Sequence, residues 1–333
     1  MTSALRQEVV ERVCGHFRLG EVTAVTRNRV GLIHATFEVE AGGEAWIVQR
    51  IHPVFGEAEM ENVAMASHFL REHGVPAPEV VPAPDGKPFY REPSGLWRVT
   101  KRLPGRSFTA VPSAGIAEAA GAMLGRFHRV MTRFPRRLRP GKRRLHDTAT
   151  IVAEAREVFE RYRESPKFPP VADLVATLPD RIERLLLPSG FSVQIVHGDP
   201  KISNFLFEED EVTGLLDLDA ISTHTLLVDL GDALRSWCGT REDDPRNRFD
   251  PGLAAAALRG WRATALPLPP EEQRAIGRAT RLITFELAIR FLRDYFEERY
   301  FAWDPTRYPD AAAHHLARTR SMVHLADSIP DDL

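Results

Sequence analysis

The sequence predicts an α/β (α+β) protein with two lobes, a small antiparallel-sheet lobe over residues 1–103 and a larger, mostly helical lobe over residues 104–333. The chain has 333 residues, which is more than one ordinary hydrophobic core contains. Between residues 37 and 100 short runs have the composition of strands, whereas beyond residue 105 apolar residues recur at helical spacing. This change of period places a hinge at about residues 100–105.

Composition narrows the possible partners and the cellular compartment. The 44 basic and 46 acidic residues give a net charge of −2, so the overall charge indicates neither a nucleic-acid nor a membrane partner. No apolar run approaches the roughly 20 residues of a membrane span. Glu8 and Glu11 interrupt the N-terminal apolar residues, which excludes a signal-peptide core. With only Cys14 and Cys238 as cysteines, we expect buried thiols in a cytoplasmic protein.

The N-terminal lobe is predicted to contain a helix, a hairpin, a second helix and two paired strands. The first helix covers six apolar residues at helical spacing: Leu5, Val9, Val10, Val13, Cys14 and Phe17. The hairpin pairs residues 37–40 with residues 45–48 around Gly42 and Gly43. The second helix runs from about Glu57 to Glu72 and ends at Gly74, and the prolines after it exclude another helix. Residues 89–90 and 96–100 then read as paired strands.

The C-terminal lobe is predicted to be built from amphipathic helices. The first includes residues 116–131, where Gly121 and Gly125 permit close packing and His128 is expected to be a structural histidine. Asp147 is a plausible N-cap of the next helix. A helix begins near Asp229, and a long helix covers residues 281–300.

The motif with the clearest chemistry is Asp-x-Lys-x-x-Asn, formed by Asp199, Lys201 and Asn204, with Asp217 thirteen residues later. Transfer of a nucleotide's terminal phosphate requires a carboxylate that orients the attacking hydroxyl, and Asp199 suits that role. Lys201 supplies a positive charge near the phosphate. Asn204 and Asp217 offer the oxygen ligands that Mg²⁺ prefers. If residues 215–219 form the end of a strand, Asp219 points to the same metal region as Asp217.

These residues resemble the aminoglycoside phosphotransferase and choline kinase group, which has a protein-kinase-like fold. The catalytic loop is similar to the His-Arg-Asp loop of protein kinases, but reads His197-Gly198-Asp199. Among members of the group, the sequence looks most like the N-acetylhexosamine 1-kinases. Three further segments carry that likeness: Leu216 to Asp219, Asp229 to Arg235, and Arg290 to Tyr295. The resemblance covers about residues 20–325 and implies ATP as co-substrate and Mg²⁺ as cofactor.

The resemblance also implies a set of nucleotide-binding residues. The loop over the phosphates contains Gly31 and Thr36, although a plain strand connection is the alternative for this loop. Gln49 matches the position of the kinase lysine but only Arg50 is charged, and Arg50 is slightly preferred. Glu59 or Glu61 on the following helix is a candidate partner for that cation. We expect backbone groups from Lys101 to Leu103 at the hinge to bind the adenine edge.

The acceptor site is the part of the protein for which the sequence leaves most alternatives open. His34 replaces the Asn of the family's Gly-x-Ile-Asn-x-Thr pattern and is a candidate for contact with phosphates or sugar. Asp232 and Arg235 are equally compatible with structural and substrate-binding roles. Arg290 and Asp294 are predicted to project into the acceptor pocket, with a surface ion-pair ladder as the alternative.

Three hypotheses follow for the function. The first is a kinase that phosphorylates a sugar, at the anomeric hydroxyl of a hexose or N-acetylhexosamine, as the resemblance implies. The second is a kinase of the same fold with an aminoglycoside, choline-like or amino-alcohol acceptor. The third is a nucleotide-binding pseudokinase, against which the intact Asp199, Asn204 and Asp217 argue.

Overall fold

The structure is a computed structural model that describes residues 3–28, 34–141 and 146–333. It has an antiparallel sheet at its N-terminal end and a mostly helical C-terminal part, which confirms the predicted fold class. Within the described residues, no helix is both long enough and apolar enough to cross a membrane. Gly31 lies outside the described residues, so its predicted role in the phosphate loop stays a prediction.

The N-lobe is a five-stranded antiparallel sheet with the strand order β1-β2-β3-β5-β4. Its strands are β1 (Val22–Asn28), β2 (Ala35–Ala41), β3 (Glu44–Arg50), β4 (Tyr90–Glu92) and β5 (Gly95–Lys101). Helix α1 (Ser3–His16) precedes the sheet and α2 (Glu57–Glu72) follows β3. The predicted hairpin is β2–β3, and its turn residues Gly42 and Gly43 have φ values of 60° and 80°, which glycine adopts without strain. The predicted bounds of α2 are confirmed.

The two faces of this sheet have different partners. One face carries Val48 and its neighbours in register, Phe37 and Val99, which are buried in a cluster with residues of α1. Because successive side chains of a strand point to opposite faces, Gln49 lies on the other face, next to Thr36 on β2 and Arg98 on β5. Polar side chains from three adjacent strands therefore meet on the face that does not pack against α1.

The C-lobe is built around one large cluster of buried apolar residues. Its helices are α3 (Ala114–Met131), α4 (Thr148–Arg161), α5 (Ala172–Glu183), α6 (Leu226–Cys238), α7 (Pro251–Thr264), α8 (Pro270–Arg274), α9 (Ile276–Glu297) and α10 (Ala311–Ser328). Helix α9 begins five residues before the predicted start. Asp147 caps α4, as predicted, because its side chain accepts a hydrogen bond from the backbone N–H of Thr150.

Two small antiparallel sheets support the loop that contains Asp199. One pairs β6 (Val193–Val196) with β9 (Ser222–Thr225), and the other pairs β7 (Phe205–Glu208) with β8 (Glu211–Leu215). The predicted strand through Asp219 is wrong, because β8 ends at Leu215. Asp217 has the left-handed φ of 60°, and residues 218–220 form a 3₁₀ turn.

Close packing of α3 against α7 depends on glycine, as predicted. A Cβ atom on Gly121 would lie 2.0 Å from the backbone oxygen of Ala257. We expect Gly121→Ala to lower the free energy of unfolding by about 1–3 kcal/mol, because the two helix backbones must move apart. Chemical denaturation measures this loss. Gly15→Ala in α1 is the matched control, since a Cβ there meets no atom within 4 Å, and an equal loss in both variants would contradict the packing argument.

Candidate active site

The loop from His197 to Asn204 connects β6 to β7 and is held from below by Asp229 of α6. The Asp229 carboxylate accepts hydrogen bonds from the backbone N–H groups of His197 at 2.6 Å and Gly198 at 2.8 Å. Its Oδ2 also lies 2.9 Å from Nε2 of His128. Burial would raise the pKa of Asp229, but His128 and the backbone donors hold it below its usual value. Asp229 therefore fixes the backbone of the catalytic loop, and His128 is the structural histidine predicted.

Three residues of the motif are in direct contact within this loop. The ammonium group of Lys201 forms an ion pair with Oδ2 of Asp199. Asn204 donates from its amide nitrogen to the backbone oxygen of Asp199 at 2.7 Å, which leaves its Oδ1 as the end that suits a cation. Burial would raise the pKa of Asp199, but the charge of Lys201 holds it below its usual value. Asp199 is therefore an ionised carboxylate, as a group that orients a hydroxyl must be.

The segment that carries Asp217 is tied to the same loop by two hydrogen bonds. The backbone N–H of Leu216 donates to the backbone oxygen of Asn204 at 2.7 Å. Nε2 of His197 lies 2.9 Å from the backbone oxygen of Leu216. Since Nδ1 of His197 accepts from the backbone N–H of Asp199, its Nε2 is the protonated nitrogen that donates to Leu216. These bonds hold Asp217 beside Asn204.

Asp217 and Asp219 converge although no strand aligns them. Ligand atoms of His34, Asp217 and Asp219 all lie within 4.8 Å of one another. Burial and the nearby carboxylates of Asp219 and Asp199 raise the pKa of Asp217, although Lys201 opposes them. A divalent cation would relieve this repulsion, so the carboxylate and amide oxygens fit a hard metal ion. The expectation that Asp219 faces this region was correct, but a left-handed residue and a 3₁₀ turn bring it there.

Arg98 of β5 is the residue that sequence reasoning missed. Its guanidinium group forms a bidentate pair with Asp219, with Nη1–Oδ1 at 2.7 Å and Nη2–Oδ2 at 2.8 Å. Arg98 also donates to Oε1 of Gln49 at 2.7 Å. Burial would raise the pKa of Asp219, but Arg98 and His34 hold it far below its usual value. The sequence did contain a signal for Arg98, because it is a basic residue within an otherwise apolar strand. In the sheet its side chain lies on the same face as that of Gln49.

This network corrects two predictions about the nucleotide side. The slight preference for Arg50 was wrong, because Gln49 faces Asp219 through Arg98 and Arg50 lies on the opposite face of β3. Among the described residues, Glu61 forms no ion pair with a cation of the sheet, and its carboxylate lies 2.7 Å from Nη1 of Arg139. The other candidate, Glu59, accepts a hydrogen bond from the backbone N–H of Gly56 at 2.8 Å. Thr36 joins the network, since its hydroxyl accepts from Nε2 of Gln49 at 3.2 Å, and its contact with phosphates stays a prediction.

The hinge segment from Lys101 to Leu103 was predicted to bind the adenine edge. The backbone N–H of Lys101 donates to the backbone oxygen of Glu79 at 3.0 Å, so this donor is engaged within the lobe. Leu103 follows β5 and packs near Gly214 of β8, which places it between the sheet and the C-lobe. Binding of adenine by this segment stays a prediction.

The predicted acceptor residues occupy different environments. Asp232 and Arg235 pair with each other on α6, with Oδ1–Nε at 2.9 Å, and both are buried. His34 lies against the Asp219 carboxylate, with Nε2–Oδ2 at 3.3 Å, so it belongs to the metal side of the site. Arg290 is half-buried and lies 5.6 Å and 5.4 Å from the ring centroids of Tyr300 and Phe301.

Asp294 does not project into a pocket, which contradicts the prediction. Its carboxylate accepts hydrogen bonds from three successive backbone N–H groups after α9: Arg299 at 2.9 Å, Tyr300 at 3.0 Å and Phe301 at 2.7 Å. It is 3% exposed, so a surface ion-pair ladder is excluded as well. Asp294 instead shapes the turn that places two aromatic rings on Arg290.

His146 adds a buried cation beneath the catalytic loop. Its Nδ1 lies 3.0 Å from Oε1 of Glu286, and its Nε2 lies 3.2 Å from the backbone oxygen of Gly198. Both ring nitrogens face acceptors, so both must carry protons. Burial alone would lower the pKa of His146, but the carboxylate of Glu286 raises it to about 9.

The fold and this arrangement of residues define a two-lobed phosphotransferase. The family model described as the phosphotransferase enzyme family matches residues 24–267. The chain belongs to this family. The recognition of the group from the sequence motifs is therefore confirmed.

Individual proteins show the same relationship. The chain is similar to a homoserine kinase of Zymomonas mobilis subsp. mobilis, with 26% identity over 257 residues that cover 75% of this chain and 71% of the relative. Among solved structures it is similar to the amicoumacin kinase hAmiN, with 17% identity, a TM-score of 0.67, and coverage of 100% of this chain and 98% of that one. It is also similar to a microcompartment-associated aminopropanol kinase, with 15% identity, a TM-score of 0.67, and coverage of 96% of each chain. These likenesses confirm the kinase-like fold, and the family and the curated relative confirm a small-molecule kinase.

The charge on His146 predicts a pH dependence of stability. Below pH ~6.5 His146 is protonated in the folded and unfolded states, so its pairing with Glu286 stabilises the fold fully, on the order of 3 kcal/mol. This contribution is lost as the pH rises from 6.5 towards the folded-state pKa of about 9. The charged or titratable groups around it are Glu286, Asp232, Arg290 and His224.

The measurement is urea unfolding of the wild type and His146→Asn across this pH range. The free energy difference between the two proteins should be larger at pH ~6 than at pH ~10. His324→Asn is the control, because His324 is exposed and its ring bonds the backbone oxygen of Pro245 and not a carboxylate. A difference that does not change with pH would show that folding does not raise the pKa of His146.

Proposed function

We propose that this protein is an ATP- and Mg²⁺-dependent kinase that transfers the γ-phosphate to a hydroxyl group of a small amino alcohol. The observation that carries the proposal is the hydrogen bond from Leu216 to Asn204, which joins the catalytic loop to the Asp217 segment. This bond holds the proposed metal ligands Asn204 and Asp217 near Asp199, the carboxylate that would orient the hydroxyl. The amicoumacin kinase with the same fold was solved with AMP-PNP and Ca²⁺, which supports a nucleotide and a divalent cation here.

The proposal divides the chain into a nucleotide-covering N-lobe over residues 1–103 and an acceptor-binding C-lobe over residues 104–333. The nucleotide lies between the lobes, with its phosphates towards Thr36 and Gln49 and its adenine towards the backbone near Leu103. Gly31 lies outside the described residues, and its assignment to the phosphate loop rests on the sequence alone.

Each motif residue then has one task. Asp199 accepts a hydrogen bond from the acceptor hydroxyl and takes its proton as the oxygen attacks the γ-phosphorus, while the bond from phosphorus to the bridging oxygen breaks and ADP leaves. Lys201 neutralises charge on the transferring phosphoryl group. Asn204 and Asp217 hold Mg²⁺, which supplies positive charge where the phosphate oxygens gather. General-base help typically gives about 10²- to 10⁴-fold, so positioning and charge stabilisation supply the larger share of the acceleration.

Several observations favour an amino alcohol as the acceptor. The curated relative is a homoserine kinase and one neighbour of the same fold is an aminopropanol kinase. Arg290 and the Asp232–Arg235 pair, which we assign to the acceptor side, carry charges of both signs and would suit an acceptor that is itself charged. A sugar acceptor is the second candidate, on the likeness of residues 290–295 to N-acetylhexosamine 1-kinases. It is weaker because Asp294, part of that likeness, is engaged with backbone N–H groups.

The test is a panel of acceptors with ATP and Mg²⁺, in which release of ADP is measured for amino alcohols, hydroxy amino acids, hexoses, N-acetylhexosamines and aminoglycosides. We expect turnover with an amino alcohol, and a loss of at least about 10³-fold in kcat for Asp199→Asn. That variant should still bind nucleotide. Turnover of a sugar alone would select the second candidate, and unchanged kcat in Asp199→Asn would reject the mechanism.

Arg290 is predicted to bind the acceptor from α9. Arg290→Ala should raise the acceptor KM by about tenfold, because a charged hydrogen-bond donor is lost, while the affinity for nucleotide stays the same. Arg293→Ala is the matched control. Arg293 lies three residues further along α9 and pairs with the exposed Glu154. Equal kinetic constants for Arg290→Ala and the wild type would show that this residue only packs on Tyr300 and Phe301.

A further inference from the structure

The cation that reaches the site from the N-lobe sheet is on β5 and not on β3. Arg98 is 4% exposed and forms its bidentate pair with Asp219, which belongs to the C-lobe. An ion pair between a strand of the sheet and the turn after β8 therefore crosses between the lobes. Because burial removes both charges from water, either charge would be strongly destabilising without the other.

Gln49 on β3 is the neutral neighbour that orients Arg98. It is paired with Arg98 in the strand register and accepts a hydrogen bond from Nη2 of Arg98 at 2.7 Å. A lysine at this position would place a second positive charge against the guanidinium group. A neutral amide instead accepts from Arg98 and donates to Thr36, so it orients the arginine without repelling it.

Both oxygens of the Asp219 carboxylate have partners from the N-lobe. Besides the two bonds from Arg98, Nε2 of His34 lies 3.3 Å from its Oδ2. The backbone N–H of His52 donates to Nδ1 of His34, so in neutral His34 the proton is on Nε2 and points to Asp219. Both carboxylate oxygens are thus engaged by donors from the N-lobe. Nε of Arg98 is buried and has no hydrogen-bond partner within the described part of the chain, which leaves a donor for an anionic ligand.

We propose that Arg98 and Asp219 form a positioning pair for the nucleotide phosphates, in which Asp219 anchors Arg98 and does not bind the metal. The pair replaces a cation on β3 and its partner on α2, since Gln49 is neutral and Glu61 pairs with Arg139. Metal binding is left to Asn204 and Asp217. This inference rests on the proposed function, because it assumes that a nucleotide occupies the cleft.

The test is calorimetric binding of the Mg²⁺ complex of AMP-PNP to the full chain, which requires no acceptor and no turnover. Arg98→Gln and Asp219→Asn should each weaken binding at least about tenfold. The double variant should bind no more than about twofold more weakly than the poorer single variant, because the two residues act as a unit. Moving the cation back to β3, in Gln49→Lys with Arg98→Gln, should recover at least about fivefold over Arg98→Gln alone.

Control proteins distinguish phosphate positioning by Arg98 from a purely structural role, and from failure of the proposed function. Arg71→Gln removes an exposed arginine that pairs with Glu79 and should bind as the wild type does. If Arg98→Gln unfolds, Arg98→Lys keeps the charge without the fork and should show an intermediate loss. Losses that multiply in the double variant, or Arg98→Gln binding like Arg71→Gln, would overturn the proposal. A wild type that does not bind Mg²⁺–AMP-PNP would instead reject the proposed function.

Discussion

The geometry of the site depends on the Asp229 carboxylate, which is completely buried. An ionised carboxylate in the interior needs several donors, and Asp229 finds them in two backbone N–H groups of the catalytic loop and in His128. His128 is itself held by Nε1 of Trp261 at 3.0 Å. One negative charge therefore ties α6, α3 and α7 to the loop that carries Asp199, and the close contact of α3 with α7 fixes the position of His128.

Carboxylates around the loop are paired with basic side chains, and among the described residues Asp217 is the exception. Asp199 is paired with Lys201, Asp219 with Arg98, and Glu286 with His146. Asp217 has the raised pKa that follows from burial beside Asp219 and Asp199. A cation near Asp217 would relieve the repulsion among these carboxylates, so the balance of charges supports the metal position that we propose next to Asp217 and Asn204.

Much of the site was predictable because its residues are close in sequence. The spacing of Asp199, Lys201, Asn204 and Asp217 sets their chemistry, and alternation along β3 assigns Gln49 and Arg50 to opposite faces. Arg98 was not predictable in the same way, because its proximity to Gln49 depends on the pairing of β3 with β5 and its contact with Asp219 spans 121 residues of sequence. His146 and Glu286 are 140 residues apart and meet only through packing of α4 and α9. Asp294 was misplaced because helical spacing does not reveal that the chain turns back after α9.

The hydrogen-bond donors to Asp219 link the position of the N-lobe to the electrostatics of the active site. Arg98 and His34 come from the N-lobe, whereas Asp219 lies two residues from Asp217 in the C-lobe. A shift of the sheet would move Arg98 relative to Asp219 and would change the electrostatic field at Asp217 at the same time, because both carboxylates occupy one short turn. A fixed β3 cation paired within its own lobe would not have this effect. The relocation of the cation to β5 therefore connects the position of the N-lobe to the charge that attracts the metal.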